Sequence, residues 1–208
     1  MIPADPTGPD WPATIVERII GLLLAAPPRA AGTRVLAIDG RSGAGKTSLS
    51  AAVSAALDPP APVVHLEDLY AGWDGLGAGP ERLLEWVLRP LAAGRPVRYR
   101  RYDWYRDEYA EWVDVPIQPT QPTQSVPVPV LIVEGVGAGA RPGAELLSLL
   151  VYLDTPEPIR FERAMARDGE TYRPHWDRWA RQETRLLADD DPRGRADLVL
   201  GAQDPGVP

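Results

Sequence analysis

Residues Gly40 to Thr47 read Gly-Arg-Ser-Gly-Ala-Gly-Lys-Thr, a complete G-x-x-x-x-G-K-[ST] spacing. Each residue type has a use around a chain of phosphates. Glycines at 40, 43 and 45 let backbone N–H groups close around phosphate oxygens where a Cβ would stand in the way. A helix starting after Gly45 adds the positive end of its dipole. Lys46 supplies a mobile charge for the outer phosphates, and Thr47 a hydroxyl suited to a hard divalent cation. Together Gly40, Ser42, Gly43, Ala44, Gly45, Lys46, Thr47 and Ser48 form a candidate cradle for ATP with Mg2+. The flanks support it: Arg34-Val-Leu-Ala-Ile-Asp39 is strand-like, and 47–57 is helix-like.

Other chemistry sits at the ends of apolar runs. Asp39 ends the run before the loop, Glu67 and Asp68 follow Pro62-Val-Val-His-Leu66, and Glu134 ends Val130-Leu-Ile-Val133. Parallel α/β sheets bind ligands at the carboxyl ends of their strands. Glu134, followed by Gly135-Val-Gly-Ala-Gly139, resembles the Walker B acid of a Mg2+ shell, so Thr47, Glu67 and Glu134 are the metal candidates. Either Glu67 or Asp68 could take the proton of an acceptor hydroxyl. Arg160, Arg163 and Arg167 share one helix face that leads into the polar segment 168–173, a candidate lid. From it Arg167 and Arg173 could neutralise charge during phosphoryl transfer. Tyr99, Tyr102, Trp104, Tyr105, Tyr109 and Trp112 interleave with Arg98, Arg100, Arg101 and Arg106. That pattern suits a stacking pocket for one planar ring.

These groups need a scaffold. Periodicity predicts a helix over 12–26, stopped by Pro27-Pro28, and another over 80–93 with Pro90 kinking or shortening it. Short hairpin strands are expected at 97–102 and 111–115, and a Pro-rich linker at 116–129. Continuous apolar strands are expected at 130–134 and 149–154, helices at 156–167 and 174–188, and a last strand at 197–200. Strands alternating with helices predict an α/β fold: a P-loop NTPase-type parallel sheet with helices on both faces, a small lid and an acceptor-binding excursion. The expected organisation is a tail and helix over 1–32, a kinase-like domain over 33–203 and a tail over 204–208. The excursion and linker take 97–129, and the lid 168–178.

Composition narrows the function classes. The 208 residues include no cysteine, which removes thiolate catalysis, disulfides and cysteine–zinc sites. His65 and His175 lack ligand spacing and read as structural, and Trp176 and Trp179 read as core. A net charge of −7 argues against nucleic acid and anionic membranes as partners. The longest apolar run is eight residues, so a soluble cytoplasmic protein is expected. A small-molecule acceptor is the expected partner, and a homo-oligomer is compatible with the chain.

In this order the motifs resemble the uridine kinase and phosphoribulokinase-like group of P-loop kinases. Residues 37–47 are similar to its phosphate loop, and Leu131-Ile-Val-Glu-Gly135 to its Walker B strand. Glu67-Asp68-Leu69-Tyr70 is similar to its Asp-x-Phe-Tyr segment, with Glu67 where the family has its base aspartate. Tyr102-Asp103-Trp104 is similar to the Tyr-Asp-Phe segment that lines the nucleoside pocket. Residues 163–168 resemble the lid entry, and Arg195-Ala-Asp-Leu-Val199 the strand before the adenine loop. The resemblance implies an ATP-dependent kinase with Lys46, Glu67, Arg167 and Arg173 as catalytic residues. Its acceptor side would comprise Asp39, Asp68, Tyr70, Tyr102, Asp103 and Trp104. Asp103 could bind acceptor hydroxyls or fix its loop. Two departures stand out. Glu67 is one methylene longer than aspartate, and no Arg-Gly-Arg follows Asp168. The arginines before Tyr102 leave open an anionic acceptor such as a phosphosugar. The alternative class is a nucleotide-binding ATPase or switch without a small-molecule acceptor.

Overall fold

The computed structural model describes residues 9–117, 128–201, 204 and 207. Most of the expected linker at 116–129, and parts of both tails, lie outside the described residues.

Five strands form one parallel sheet in the order β2-β5-β1-β6-β7. They are β1 (Arg34–Gly40), β2 (Val63–His65), β5 (Val130–Glu134), β6 (Leu149–Asp154) and β7 (Leu198–Gly201). Strand alternation divides the core in two. Val35, Ala37, Leu131, Val133 and Leu150 pack with the hairpin and the C-terminal helices. Leu36, Ile38, Ile132, Val151 and Leu153 face the other side. There they meet α1 (Ala13–Ala25) through Ile15, Val16, Ile19 and Leu23, and α2 (Lys46–Ala55) through Leu49 and Val53. This is the expected fold class, a parallel sheet flanked by helices and consistent with a P-loop kinase.

The expected helix at 80–93 is broken into three pieces. α3 (Gly79–Arg82) passes into a π-helix, Leu83–Leu88, and then into α4 (Arg89–Ala92). Pro90 has no N–H to give to the preceding turn, so the wider turn falls just before it. Leu83, Leu84, Val87 and Leu88 remain buried.

The excursion is an antiparallel hairpin of β3 (Val97–Asp103) and β4 (Glu108–Val115). β4 begins three residues earlier than its apolar pattern predicts. A tight turn explains this: the Asp103 carboxylate accepts the N–H groups of Tyr105 at 3.0 Å and Arg106 at 3.1 Å, and the Asp107 N–H returns to the Asp103 carbonyl at 2.8 Å. Asp107 then turns with φ 57°, a region Asp tolerates. α5 (Glu157–Asp168) and α6 (Trp176–Asp190) flank two short 3-10 turns, and a single turn, α7 (Pro192–Arg195), leads into β7. Among the described residues no helix is long and apolar enough to cross a membrane.

Candidate active site

β1 delivers Gly40 to the top of the sheet, and α2 starts at Lys46 after Gly45, which is left-handed at φ 98°. Gly43 allows a close approach as well as a positive φ of 78°. A Cβ there would run into the Arg160 carbonyl and come within 2.9 Å of the Arg160 Cα. Arg160 cannot retreat easily. It is 6% exposed and braced by bonds from Nε to the Thr155 carbonyl (2.9 Å) and from Nη1 to the Ser42 carbonyl (3.2 Å). Gly43→Ala is therefore expected to cost about 1–3 kcal/mol. That corresponds to a melting temperature lower by roughly 2–4 °C per kcal/mol in a chain of this size, with weaker nucleotide binding by calorimetry.

Lys46 is buried, and its Nζ donates to the Arg41 carbonyl at 3.0 Å within the same loop. Burial lowers its pKa, while the carboxylates of Glu134, Glu183 and Asp39 oppose that shift. The amine thus sits among anions in a dry setting, where a phosphate would meet little competing water.

Register puts Glu134 beside Ile38 on one flank and His65 on the other. Its Oε1 accepts the Thr47 hydroxyl at 3.1 Å and lies 2.6 Å from His65 Nδ1. Burial works to raise the Glu134 pKa, but the bond from His65, the charges of His65 and Lys46, and the Thr47 hydroxyl bring it below the ordinary value. Glu134 is held as a carboxylate. Asp39, fully buried, accepts three backbone amides: Gly40 (2.6 Å), Gly137 (3.0 Å) and Gly139 (2.9 Å). It ties the glycine segment after Glu134 to the end of β1, although burial raises its pKa against those bonds. Its carboxylate is engaged by these three amides.

The turn after β2 carries Glu67 and Asp68, and the hairpin grips it with three aromatic residues. Tyr99 donates to Asp68 Oδ2 (2.9 Å), Tyr109 to the Leu69 carbonyl (2.7 Å) and Trp104 Nε1 to the Glu67 carbonyl (3.2 Å). Asp68 is 9% exposed and engaged by Tyr99. Glu67 is half-buried as a residue, and the surroundings of its carboxyl are ionic: Arg167, Asp168, Glu134 and Asp68 all act on it. Burial raises its pKa, which Arg167 opposes. Tyr70 is 3% exposed, donates to the Val136 carbonyl at 2.8 Å and packs on Trp179. The Tyr102 hydroxyl donates to Asp107 at 2.6 Å, and Asp103 secures the hairpin turn. Trp104 meets Trp73 edge-on at 5.0 Å, and Trp73 in turn stacks on His175 at 4.1 Å and on Tyr172 at 5.3 Å.

The two arginines expected on a lid separate. Arg167 forks onto Asp168 (2.7 Å from Nη2) and acts electrostatically on both Glu67 and Lys46. Arg173 pairs with Glu170 at 3.0 Å and lies over the Phe161 ring on an exposed surface. Three residues with no local signal also belong to this region. Trp73 lies inside the glycine-rich stretch 72–79, His65 ends β2, and Glu183 lies in the middle of α6. Only their partners, far away in sequence, reveal them.

The Phosphoribulokinase / Uridine kinase family model matches residues 72–176, just over half of the chain and directly after the loop and the Glu67 turn. No curated protein matches. Among solved structures, a possible uridine kinase from Bacillus stearothermophilus is similar at 22% identity and TM-score 0.63, over 90% of this chain and 98% of that one. A candidate fructose transport system kinase from Silicibacter sp. TM1040 is similar at 21% identity and TM-score 0.52, with the same coverages. At these identities the neighbours speak to the fold, and the matched segment speaks to the family: the chain belongs to the phosphoribulokinase/uridine kinase family of P-loop kinases.

Proposed function

We propose that the protein transfers the γ-phosphate of ATP to a hydroxyl of a neutral, nucleoside-like acceptor with the help of Mg2+. The observation that carries this reading is the meeting of three parts at one end of the sheet: the glycine loop, the Thr47–Glu134 pair, and the Glu67 turn held by the aromatic hairpin. A hydroxyl and a carboxylate are hard oxygen donors, and Mg2+ takes few such protein ligands while keeping phosphate oxygens and water for the rest. Bound there, it would neutralise charge on the phosphates. Glu134→Gln is expected to lower Mg2+-dependent turnover about 10–100-fold, with metal-free nucleotide binding nearly unchanged. Equal losses in a calorimetric titration and in turnover would assign Glu134 a structural role instead.

Glu67 is favoured over Asp68 as the base, because Tyr99 already engages Asp68 and the Glu67 backbone is fixed by Trp104. A raised pKa brings the Glu67 carboxyl closer to the pH at which a base works best. The arginines of the hairpin support a neutral acceptor. Arg98 lies over Trp112 and near Asp114, Arg100 binds the carbonyls of Tyr109 and Ala110, and Arg101 pairs with Glu111. These pairings engage their charges within the hairpin, with Arg101 also acting electrostatically on Asp68 and Tyr99. The acceptor wall would be aromatic: Trp73, Trp104 and Trp179, the last with a buried indole N–H that no described residue accepts. A ring carbonyl on the acceptor would satisfy that N–H. ADP release with nucleosides, phosphosugars and pantothenate-like acids tests the reading. Stimulation by nucleosides is expected. Stimulation by phosphosugars alone would overturn the neutral acceptor, and stimulation by none would favour a nucleotide switch.

A further inference from the structure

Glu183 lies at the centre of α6 and is 1% exposed, an unusual place for a carboxylate. Its Oε1 accepts the backbone N–H of Ser42 at 2.8 Å, and its Oε2 lies 3.6 Å from Nη1 of Arg41. The same Arg41 nitrogen donates to Thr184 at 3.2 Å. Ser42 is held from another side too: Arg160 bonds its carbonyl at 3.2 Å. The apex of the phosphate loop is thus fixed by α5 and α6, and the buried carboxylate comes from α6.

The N-terminal half of α6 is fastened to the acceptor side. Arg178 Nε donates to Asp74 at 2.7 Å, and Gln182 Nε2 donates to the Trp73 carbonyl at 2.7 Å. Trp179 packs against Trp73 and Trp104, with ring centroids 6.1 Å and 6.4 Å away. Residues 179 and 183 are one helical turn apart, about 6 Å along the axis. A helix is stiff over that distance, so a displacement of Glu183 would carry Trp179 with it.

We propose that Glu183 is a positioning residue of the phosphate loop, and that α6 links occupancy of that loop to the acceptor-side turn Gly72–Asp74. The proposal rests on the nucleotide-binding reading given above. Glu183 holds the apex amide and the Arg41 carbonyl takes that of Ala44 at 3.1 Å, which leaves those of Gly43, Gly45, Lys46 and Thr47, closest to the α2 start, for phosphate oxygens. Two sites bonded to one stiff helix are mechanically connected, and a coupling between them must be reciprocal.

ADP, with and without Mg2+, is the probe. Affinity is read by calorimetry, and the acceptor turn by amide hydrogen exchange of a peptide covering 72–78. Wild-type protein should bind ADP and slow exchange in that peptide. Glu183→Ala should weaken ADP roughly tenfold, the size of one lost bond to a charged group, and abolish the slowing. Glu183→Gln keeps an oxygen for the Ser42 amide and should restore both to within about threefold of wild type. Arg178→Ala, at the exposed end of the helix, should leave ADP affinity unchanged and lose the exchange response; it decides the matter if Glu183→Ala does not fold. Three results would overturn the proposal. One is Glu183→Ala that melts lower but keeps wild-type affinity and response. Another is Glu183→Ala that binds ADP more tightly, which would make the carboxylate a competitor of phosphate. The third is Arg178→Ala with an intact response. Wild-type protein that binds no ADP would instead refute the nucleotide-binding reading itself.

Discussion

Lys46→Ala is expected to lower phosphoryl transfer on the order of 10²–10³-fold, the usual cost of removing a group aimed at developing charge. The amine contacts the Arg41 carbonyl and the carboxylates of Glu134, Glu183 and Asp39 act on it, so its position depends on the loop and not on the apolar core. The side chain does not belong to either hydrophobic cluster. The variant should therefore keep its circular dichroism and melt within a few degrees of wild type while its turnover collapses. Near wild-type turnover would remove the phosphate-loop argument altogether.

Glu67→Gln should have the second large effect, about 10²–10⁴-fold on kcat, the range for loss of a general base. The substitution is nearly isosteric. The hairpin holds this turn through the Glu67 and Leu69 carbonyls and the Asp68 carboxylate, none of which the change touches. ATP affinity should stay close to wild type, which separates a lost proton acceptor from a damaged site. Asp68→Asn is the control. Because Tyr99 already occupies Asp68, it should lower stability more than kcat. A kcat loss confined to Asp68→Asn would move the base role to that residue.

The loop was legible in the sequence because its chemistry is local: eight consecutive residues between a strand and a helix carry the whole pattern. The central strands were legible for a similar reason, since burial on both faces leaves an unbroken apolar run such as Val130–Val133. The start of β4 was not, because Glu108 and its neighbours are polar and are paired by a turn that the Asp103 side chain builds. The π-helix before Pro90 depends on which carbonyl loses its donor, which a helical periodicity does not report. Glu183 was hidden most completely. On α6 it reads as one more charge in a polar helix, and only its bond to Ser42, 141 residues away, makes it part of the site. Asp103 shows the reverse case. Two uses were open from sequence, and the bonds to Tyr105 and Arg106 favour holding the loop.

The most direct measurement is the fate of the phosphoryl group. Protein, ATP and Mg2+ are incubated with uridine and with each other member of the acceptor panel, and the products are read by mass spectrometry. The account predicts a nucleoside that gains one phosphoryl group in step with ADP, and loss of that product in both Lys46→Ala and Glu67→Gln. ADP appearing only with free phosphate, and no phosphorylated acceptor from any member of the panel, would contradict it.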